Sequence, residues 1–105
     1  MKTAYEGVLY DSKSEAAYAA HLDSLLDAGE IAKWDRQVKV PLVVNGTKVC
    51  TMIPDFLVTD LRNRQTYVEV KGWPTPIWRL KRKLFEALFP DAAYVVVTSK
   101  EALAL

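Results

Sequence analysis

The chain has 105 residues, of which 50% are apolar, and its 14 basic and 13 acidic side chains leave a net charge of +1. This length predicts one compact domain over residues 1–105 and is too short for two. The balanced charge excludes both a disordered chain and a protein that coats nucleic acid with uniform positive charge, so any affinity for phosphates has to be local.

The cysteine content and the lengths of the apolar segments exclude further classes of protein. Cys50 is the single cysteine, which excludes an intramolecular disulfide and a cysteine-rich zinc site, and its apolar surroundings predict a buried thiol. The N-terminus lacks the apolar run of a signal peptide, and no segment approaches the ~20 apolar residues that span a bilayer. We therefore expect a cytoplasmic protein without a membrane partner.

The first predicted element is a helix. Ser12 and Glu15 have the spacing of a capping box, in which the Ser12 hydroxyl accepts from the Glu15 backbone N–H. The helix should run to about Ala28 and end at Gly29. Its apolar positions recur at helical spacing: Tyr18, Leu22, Leu25 and Leu26. Glu15 lies on the same side as this stripe, so we expect it to face the core.

A β-hairpin is predicted next. Residues 37–44 are mostly β-branched or apolar, and Asn45-Gly46 is typical of a two-residue turn with positive φ at both positions. The second strand should run from Thr47 to Val58. Pro54 interrupts its backbone donors, which indicates a sheet margin or bulge directly before Asp55.

Three further elements complete the predicted order α-β-β-β-α-β. Alternation over residues 66–71 predicts a strand with Tyr67, Glu69 and Lys71 on one face. A helix over residues 77–89 follows, with one face basic and the other an apolar stripe of Ile77, Leu80, Leu84 and Leu88. Residues 94–98 predict a buried strand. The fold class is α/β (α+β), a mixed sheet flanked by helices.

Three polar groups on the predicted strands could carry chemistry. Glu69 and Lys71 are two residues apart and so share a sheet face, and the preceding strand can bring Asp55 within reach of both. Two carboxylates at such a distance raise each other's pKa unless a cation lies between them. Mg²⁺ prefers oxygen ligands of this kind, Mn²⁺ can substitute for it, and the Val70 carbonyl could add a ligand.

These residues resemble a known family. Pro54-Asp55, thirteen intervening residues and then Glu69-Val70-Lys71 match the signature of the PD-(D/E)XK nucleases, and the predicted order resembles their restriction-endonuclease-like core. Glu15 matches the glutamate that many members add from the first helix. The stretch Gly7–Glu15, together with Gln37 and the Glu69–Gly72 segment, resembles small phage-encoded proteins related to phage endonuclease I, which resolves Holliday junctions.

The resemblance implies a Mg²⁺-dependent DNA endonuclease that leaves 5′-phosphate and 3′-hydroxyl ends. Asp55, Glu69 and Glu15 would bind the metal, Lys71 would assist the attacking water, and Gln37 would support the site. We expect a structure-specific enzyme that acts on branched DNA. A nicking enzyme is the second hypothesis for the activity. Because one small domain offers one site, cutting two strands would require a homodimer.

The second helix could supply the contacts to DNA. The candidate nucleic-acid-binding residues are Lys13, Trp73, Trp78, Arg79, Lys81 and Arg82. Simpler interpretations stay open: the basic residues could form a solvated face, each tryptophan could be a packing residue, and Glu15 could serve the helix cap alone. For the whole chain, the alternatives are a catalytically silent nucleic-acid-binding subunit and an unrelated α+β interaction module.

Overall fold

A computed structural model describes residues 2–105. The elements in chain order are β1 (Thr3–Tyr5), β2 (Val8–Tyr10), α1 (Lys13–Asp27), β3 (Ile31–Arg36), β4 (Val40–Val44), β5 (Thr47–Met52), β6 (Phe56–Asp60), β7 (Gln65–Lys71), α2 (Pro76–Leu88), β8 (Ala93–Thr98) and α3 (Ser99–Leu103). The protein is an α+β structure in which helices flank a mixed sheet, as the sequence predicted.

The main sheet has four strands in the order β3-β6-β7-β8. β6 is antiparallel to both β3 and β7, whereas β7 and β8 are parallel and α2 connects them. β1-β2 and β4-β5 form two separate hairpins. Without these hairpins, the helices and main-sheet strands follow one another as α1-β3-β6-β7-α2-β8.

One face of the sheet packs against α1 and α3. The buried members of this core are Tyr10, Ala16, Ala19, Leu22, Ile31, Phe56, Val68, Val70 and Ala102. Val68 and Val70 lie two residues apart on β7, so both point to this face. Asp23 ties the periphery of this core together, because one of its carboxylate oxygens accepts from Tyr5 at 2.6 Å and the other from Trp34 at 3.0 Å.

The other face packs against α2 and the β4-β5 hairpin. Phe85 is the buried residue of α2, and it packs with Val40, Leu42 and Met52. The predicted apolar stripe is wrong at its N-terminal half, since Ile77 is 70% exposed and Leu80 is 68% exposed. The reason is geometric, because the sheet contacts the helix turn that carries Phe85. Ile77 and Leu80, which were placed in the stripe from their spacing, lie beside this contact and remain exposed.

The predicted strands need correction at their ends. Residues 37–44 do not form the first strand of the main sheet, because β4 (Val40–Val44) belongs to a separate hairpin and β3 takes that place. The predicted strand over residues 47–58 is two strands, interrupted around Pro54, which lacks a backbone donor. β1 and β2 were not predicted, whereas α3 forms in the C-terminal tail, where one further turn of helix was considered. The turn prediction is confirmed, with φ of 48° at Asn45 and 80° at Gly46.

The structure also bears on the predictions for Cys50 and for membrane-spanning segments. Cys50 is half-buried at the side of the second core, so its thiol is less enclosed than predicted. Within residues 2–105 no helix is long and apolar enough to cross a bilayer.

Candidate functional site

Asp55 and Glu69 lie side by side where β6 begins. The register pairs Phe56 with Val68, so Asp55 and Glu69 occupy the next pair of positions and point to the opposite face, toward α2. The Val70 backbone N–H donates to Asp55 Oδ2 at 2.8 Å. Since the N–H and C=O of one strand residue point to the same edge, the Val70 carbonyl also faces the Asp55 side.

Glu69 is a buried carboxyl, only 5% exposed, with two hydrogen-bond donors aimed at it. Its Oε1 accepts from Trp78 Nε1 and from the Tyr94 hydroxyl, both at 3.3 Å. Burial raises the pKa of Glu69 to about 8, helped by a hydrogen bond with Asp55 and by the Asp55 charge, while Lys71 and Trp78 act in the lowering direction. Near neutral pH the protonated form of Glu69 is therefore favoured, and additional positive charge beside it would favour the ionised form.

Glu15 brings a third carboxyl to the site from the first turn of α1. Ser12 caps this helix and accepts from the Glu15 backbone N–H at 3.2 Å, as predicted. Within the described chain the Glu15 side chain makes no return bond to the Ser12 N–H, although Glu101 does so for Thr98 in α3. Burial, Asp55 and Asp11 raise the pKa of Glu15 to about 7. Its carboxyl thus faces the other acids and does not complete the cap.

Lys71 is the last residue of β7 and carries positive charge to the same place. Its Nζ lies 5.2 Å from the centroid of the Trp78 ring, and its charge acts to lower the pKa of both Glu69 and Glu15. The four ion pairs found within residues 2–105 do not include Lys71. The ammonium group is therefore close to the carboxyls without being committed to one of them.

These side chains line a cavity of about 420 Å³, which we call the acidic pocket. Its charged lining consists of Asp11, Glu15, Asp55, Glu69, Lys71 and Lys81. Across the described residues, no group of three or more histidine, cysteine, aspartate or glutamate side chains lies close enough together to hold a metal ion. The acids of the lining therefore share one cavity, in which Asp55 and Glu69 are the pair that lie side by side.

A second cavity, of about 850 Å³, lies on the other side of Lys71 and Trp78, which line both cavities. We call it the basic groove. Its charged lining consists of Lys71, Arg79, Arg82, Lys83, Glu86 and Lys100. Arg82 lies over the rings of Trp78 and Tyr94, at 5.7 Å and 5.6 Å from their centroids. A pocket rich in acids and a groove rich in bases therefore share one wall.

The predicted nucleic-acid-binding residues are divided among several places. Trp78, Arg79 and Arg82 line the basic groove, whereas the Lys81 ammonium donates to the Thr51 carbonyl at 3.2 Å beside the acidic pocket. Lys13 and Trp73 are exposed and line neither cavity, and at 84% exposure Trp73 is not a packing residue.

Gln37 was predicted to support the site through its side chain. That side chain is exposed, and the residue has a positive φ of 51°. Its backbone N–H donates to the Asp55 carbonyl at 3.0 Å. The contact that the structure shows is therefore one that positions the Asp55 backbone, and a role for the Gln37 amide stays a prediction.

Several residues of the site were missed in the sequence. Asp11 and Arg36 act on the pKa of Glu15 from the segments before and after α1, and Lys100 reaches the basic groove from α3. Tyr94 carried a usable signal, since it is the single aromatic residue in the aliphatic strand β8. Arg36 and Lys100 are distant in sequence from the other site residues and are brought to them only by the tertiary fold, whereas Asp11 lies in the segment directly before α1.

Fold and site together define a class: an α+β protein in which a pair of carboxyls, one of them buried, and a lysine meet beside a basic groove. The chain belongs to the family described as "Protein of unknown function (DUF1064)", which matches residues 1–102. No curated protein matches the chain.

Proposed function

We propose that this protein is a Mg²⁺-dependent DNA endonuclease of the PD-(D/E)XK type. The observation that carries the proposal is the meeting of Asp55, Glu69 and Lys71 in one pocket, with Asp55 directly before β6 and Glu69 beside it on β7. The order α1-β3-β6-β7-α2-β8 supports the resemblance to the restriction-endonuclease-like core. Family membership extends over almost the whole chain but leaves the activity open.

The donor set suits a hard divalent cation. Asp55 and Glu69 offer two carboxylates, the Val70 carbonyl faces the same side, and Mg²⁺ commonly binds one or two carboxylates and completes its shell with water and substrate phosphate. The raised pKa of Glu69 supports this assignment, because a bound cation would favour the ionised form. Glu15 would approach the ion from α1. When bound, the ion would polarise a phosphate and activate water.

The chain's own residues would do the remaining work. Lys71 would orient the attacking water and offset the negative charge that develops on the phosphate during hydrolysis. Trp78 and Tyr94 would hold the Glu69 carboxylate in one orientation through their two hydrogen bonds. The products would carry 5′-phosphate and 3′-hydroxyl ends, as the resemblance implies.

The substrate we propose is branched DNA, with single-strand nicking as the simpler form of the same reaction. Resolving a Holliday junction requires two cuts, so the enzyme would act as a homodimer with one site per chain. With this substrate, the cytoplasm remains the compartment in which we expect the protein to act.

Two measurements test the proposal. Calorimetric titration with Mn²⁺ should give binding to the native protein and none to Asp55→Ala, while Asp91→Ala, which changes an exposed aspartate outside the pocket, should bind normally. Cleavage of a four-way junction and of plain duplex should require both the metal and Lys71. We expect Lys71→Ala to bind metal about normally and to cleave at least about a hundredfold more slowly.

The outcomes separate the alternatives. Metal binding without cleavage of either DNA would favour the catalytically silent subunit. Metal binding that is equal in the native protein and in Asp55→Ala would remove the paired carboxyls from the metal site and the nuclease proposal with it.

A further inference from the structure

The basic groove has cationic walls contributed by two different elements. Arg79, Arg82 and Lys83 come from α2, and Lys100 comes from α3. Glu86 is the carboxylate of this lining, and its Oε1 lies 3.2 Å from Arg82 Nε. The remaining cations of the lining, Arg79, Lys83 and Lys100, are not offset by a carboxylate of the groove.

These charges are free to bind an anion. Arg79, Lys83 and Lys100 are exposed, and none of them belongs to the ion pairs found within residues 2–105. Like charges that share a groove raise the local positive potential and attract polyanions. In a chain whose net charge is only +1, this concentration of charge marks a specific surface.

We propose that the basic groove binds the backbone phosphates of one DNA strand, next to the phosphate that is cut in the acidic pocket. This inference rests on the proposed function and adds the path of the substrate. Lys71 and Trp78 line both cavities, so a strand lying in the groove passes directly over the shared wall to the paired carboxyls.

The geometry favours a single strand and contacts without sequence preference. The cations that line this groove come from α2 and α3, so they can contact the phosphates of the same strand. At the branch point of a junction the strands leave the duplex, and one of them would be able to enter the groove. The Trp78 ring has the Lys71 ammonium and the Arg82 guanidinium at 5.2 Å and 5.7 Å from its centroid, so the ring lies among groups that bind phosphates. Contacts to phosphates position a strand but carry no sequence information.

The experiment compares two double variants with the same change in charge. Lys83→Ala/Lys100→Ala removes two lysines from the groove, and Lys39→Ala/Lys48→Ala removes two exposed lysines that line neither cavity. Binding of a fluorescent single-stranded oligonucleotide is measured in EDTA over a series of salt concentrations. The groove variant should bind about tenfold more weakly, and its log–log salt dependence should be shallower by about 1.4, the value for two lost phosphate contacts on a single strand. The control variant should match the native protein.

Equal binding by the native protein and the groove variant would overturn the groove as the binding surface. A duplex of the same sequence that binds as tightly as the single strand, with the same loss in the groove variant, would overturn the single-strand assignment. Because EDTA removes any metal, these results are independent of catalysis. If the groove variant binds the oligonucleotide more weakly but the native protein does not bind Mn²⁺, the groove proposal stands and the nuclease proposal fails. If the native protein cleaves DNA and the groove variant binds the oligonucleotide normally, the nuclease proposal stands and the groove proposal fails.

Discussion

The pKa of Glu69 depends on neighbouring groups that act in opposite directions, and each of them can be changed separately. Burial and Asp55 favour its neutral form, whereas the Lys71 charge and the Trp78 N–H favour its ionised form. The donors are fixed by secondary structure, since Trp78 stands in the first turn of α2 and Tyr94 stands on β8 beside β7. A change in a single donor should therefore alter the affinity of Glu69 for protons and, through it, the affinity of the site for metal.

Trp78→Phe tests this coupling. The variant keeps an aromatic ring beside Lys71 and Arg82 but loses the N–H that donates to Glu69 Oε1. The pKa of Glu69 should rise further, and Mn²⁺ affinity at pH 7 should fall about tenfold, in the range found when a group that orients a metal ligand is removed. At pH 9, where a larger fraction of Glu69 is ionised in both proteins, the difference should shrink.

The control for that variant is Trp73→Phe, because Trp73 is exposed and lines neither cavity. Its titration should coincide with that of the native protein at both pH values. A Trp78→Phe deficit that is the same at pH 7 and pH 9 would show that the indole acts by shape and not through the ionisation of Glu69.

The position of α2 decides where both cavities lie. Thr75 caps the N-terminus of this helix, and its hydroxyl accepts from the Trp78 N–H at 3.1 Å. Pro76 is the first residue of the helix, where a missing backbone donor costs nothing. Phe85 then fixes it to the sheet through contacts with the rings of Tyr67 and Tyr94, at 5.5 Å and 5.3 Å between centroids. One buried aromatic residue thus holds the wall that the acidic pocket and the basic groove share.

Phe85→Ala should destabilise the protein by about 3–5 kcal/mol, the usual cost of removing a buried phenylalanine side chain. Leu80→Ala, in the same helix but largely exposed, should change the free energy of unfolding by less than about 0.5 kcal/mol. Urea denaturation followed by circular dichroism measures both. Similar losses for the two variants would mean that Leu80 is covered by a contact that the isolated chain does not show.

The same helix shows what the sequence could predict. Its existence and its basic face follow from local spacing, but its buried residue depends on where the sheet lies, and periodicity alone favoured Ile77 and Leu80. Alternation along β7 correctly placed Glu69 and Lys71 on one face, because strand geometry is a property of neighbouring residues. β3 was missed because it is rich in polar residues, and Lys100 was missed because α3 follows a parallel crossover that only the tertiary fold defines.

The net charge of the whole molecule is close to zero, but its acidic and basic side chains are concentrated in two different places. The acidic pocket collects Asp11, Glu15, Asp55 and Glu69, and the basic groove collects five cations on the other side of Trp78. Folding without metal therefore brings carboxyls into a place where ionisation is unfavourable. The pKa of Glu69 is raised to about 8 and that of Glu15 to about 7, so between about pH 4.5 and pH 8 the folded state holds more protons than the unfolded state.

The metal-free protein should consequently lose stability as the pH rises from about 4.5 to 8, because the unfolded state releases these protons first. Each tenfold change in an ionisation constant is worth about 1.4 kcal/mol, and in a domain of this size 1 kcal/mol moves the Tm by about 4–8 °C. Thermal denaturation in EDTA should show this decline, and Mg²⁺ or Mn²⁺ should reverse it most strongly at pH 8, where the carboxyls are ionised. Glu69→Gln should flatten the decline and lose most of the metal's effect, whereas Glu30→Gln, an exposed control, should behave like the native protein. Parallel curves for the native protein and Glu69→Gln in EDTA would show that the buried carboxyl does not govern the pH dependence, and the argument that a cation belongs beside it would lose its energetic basis.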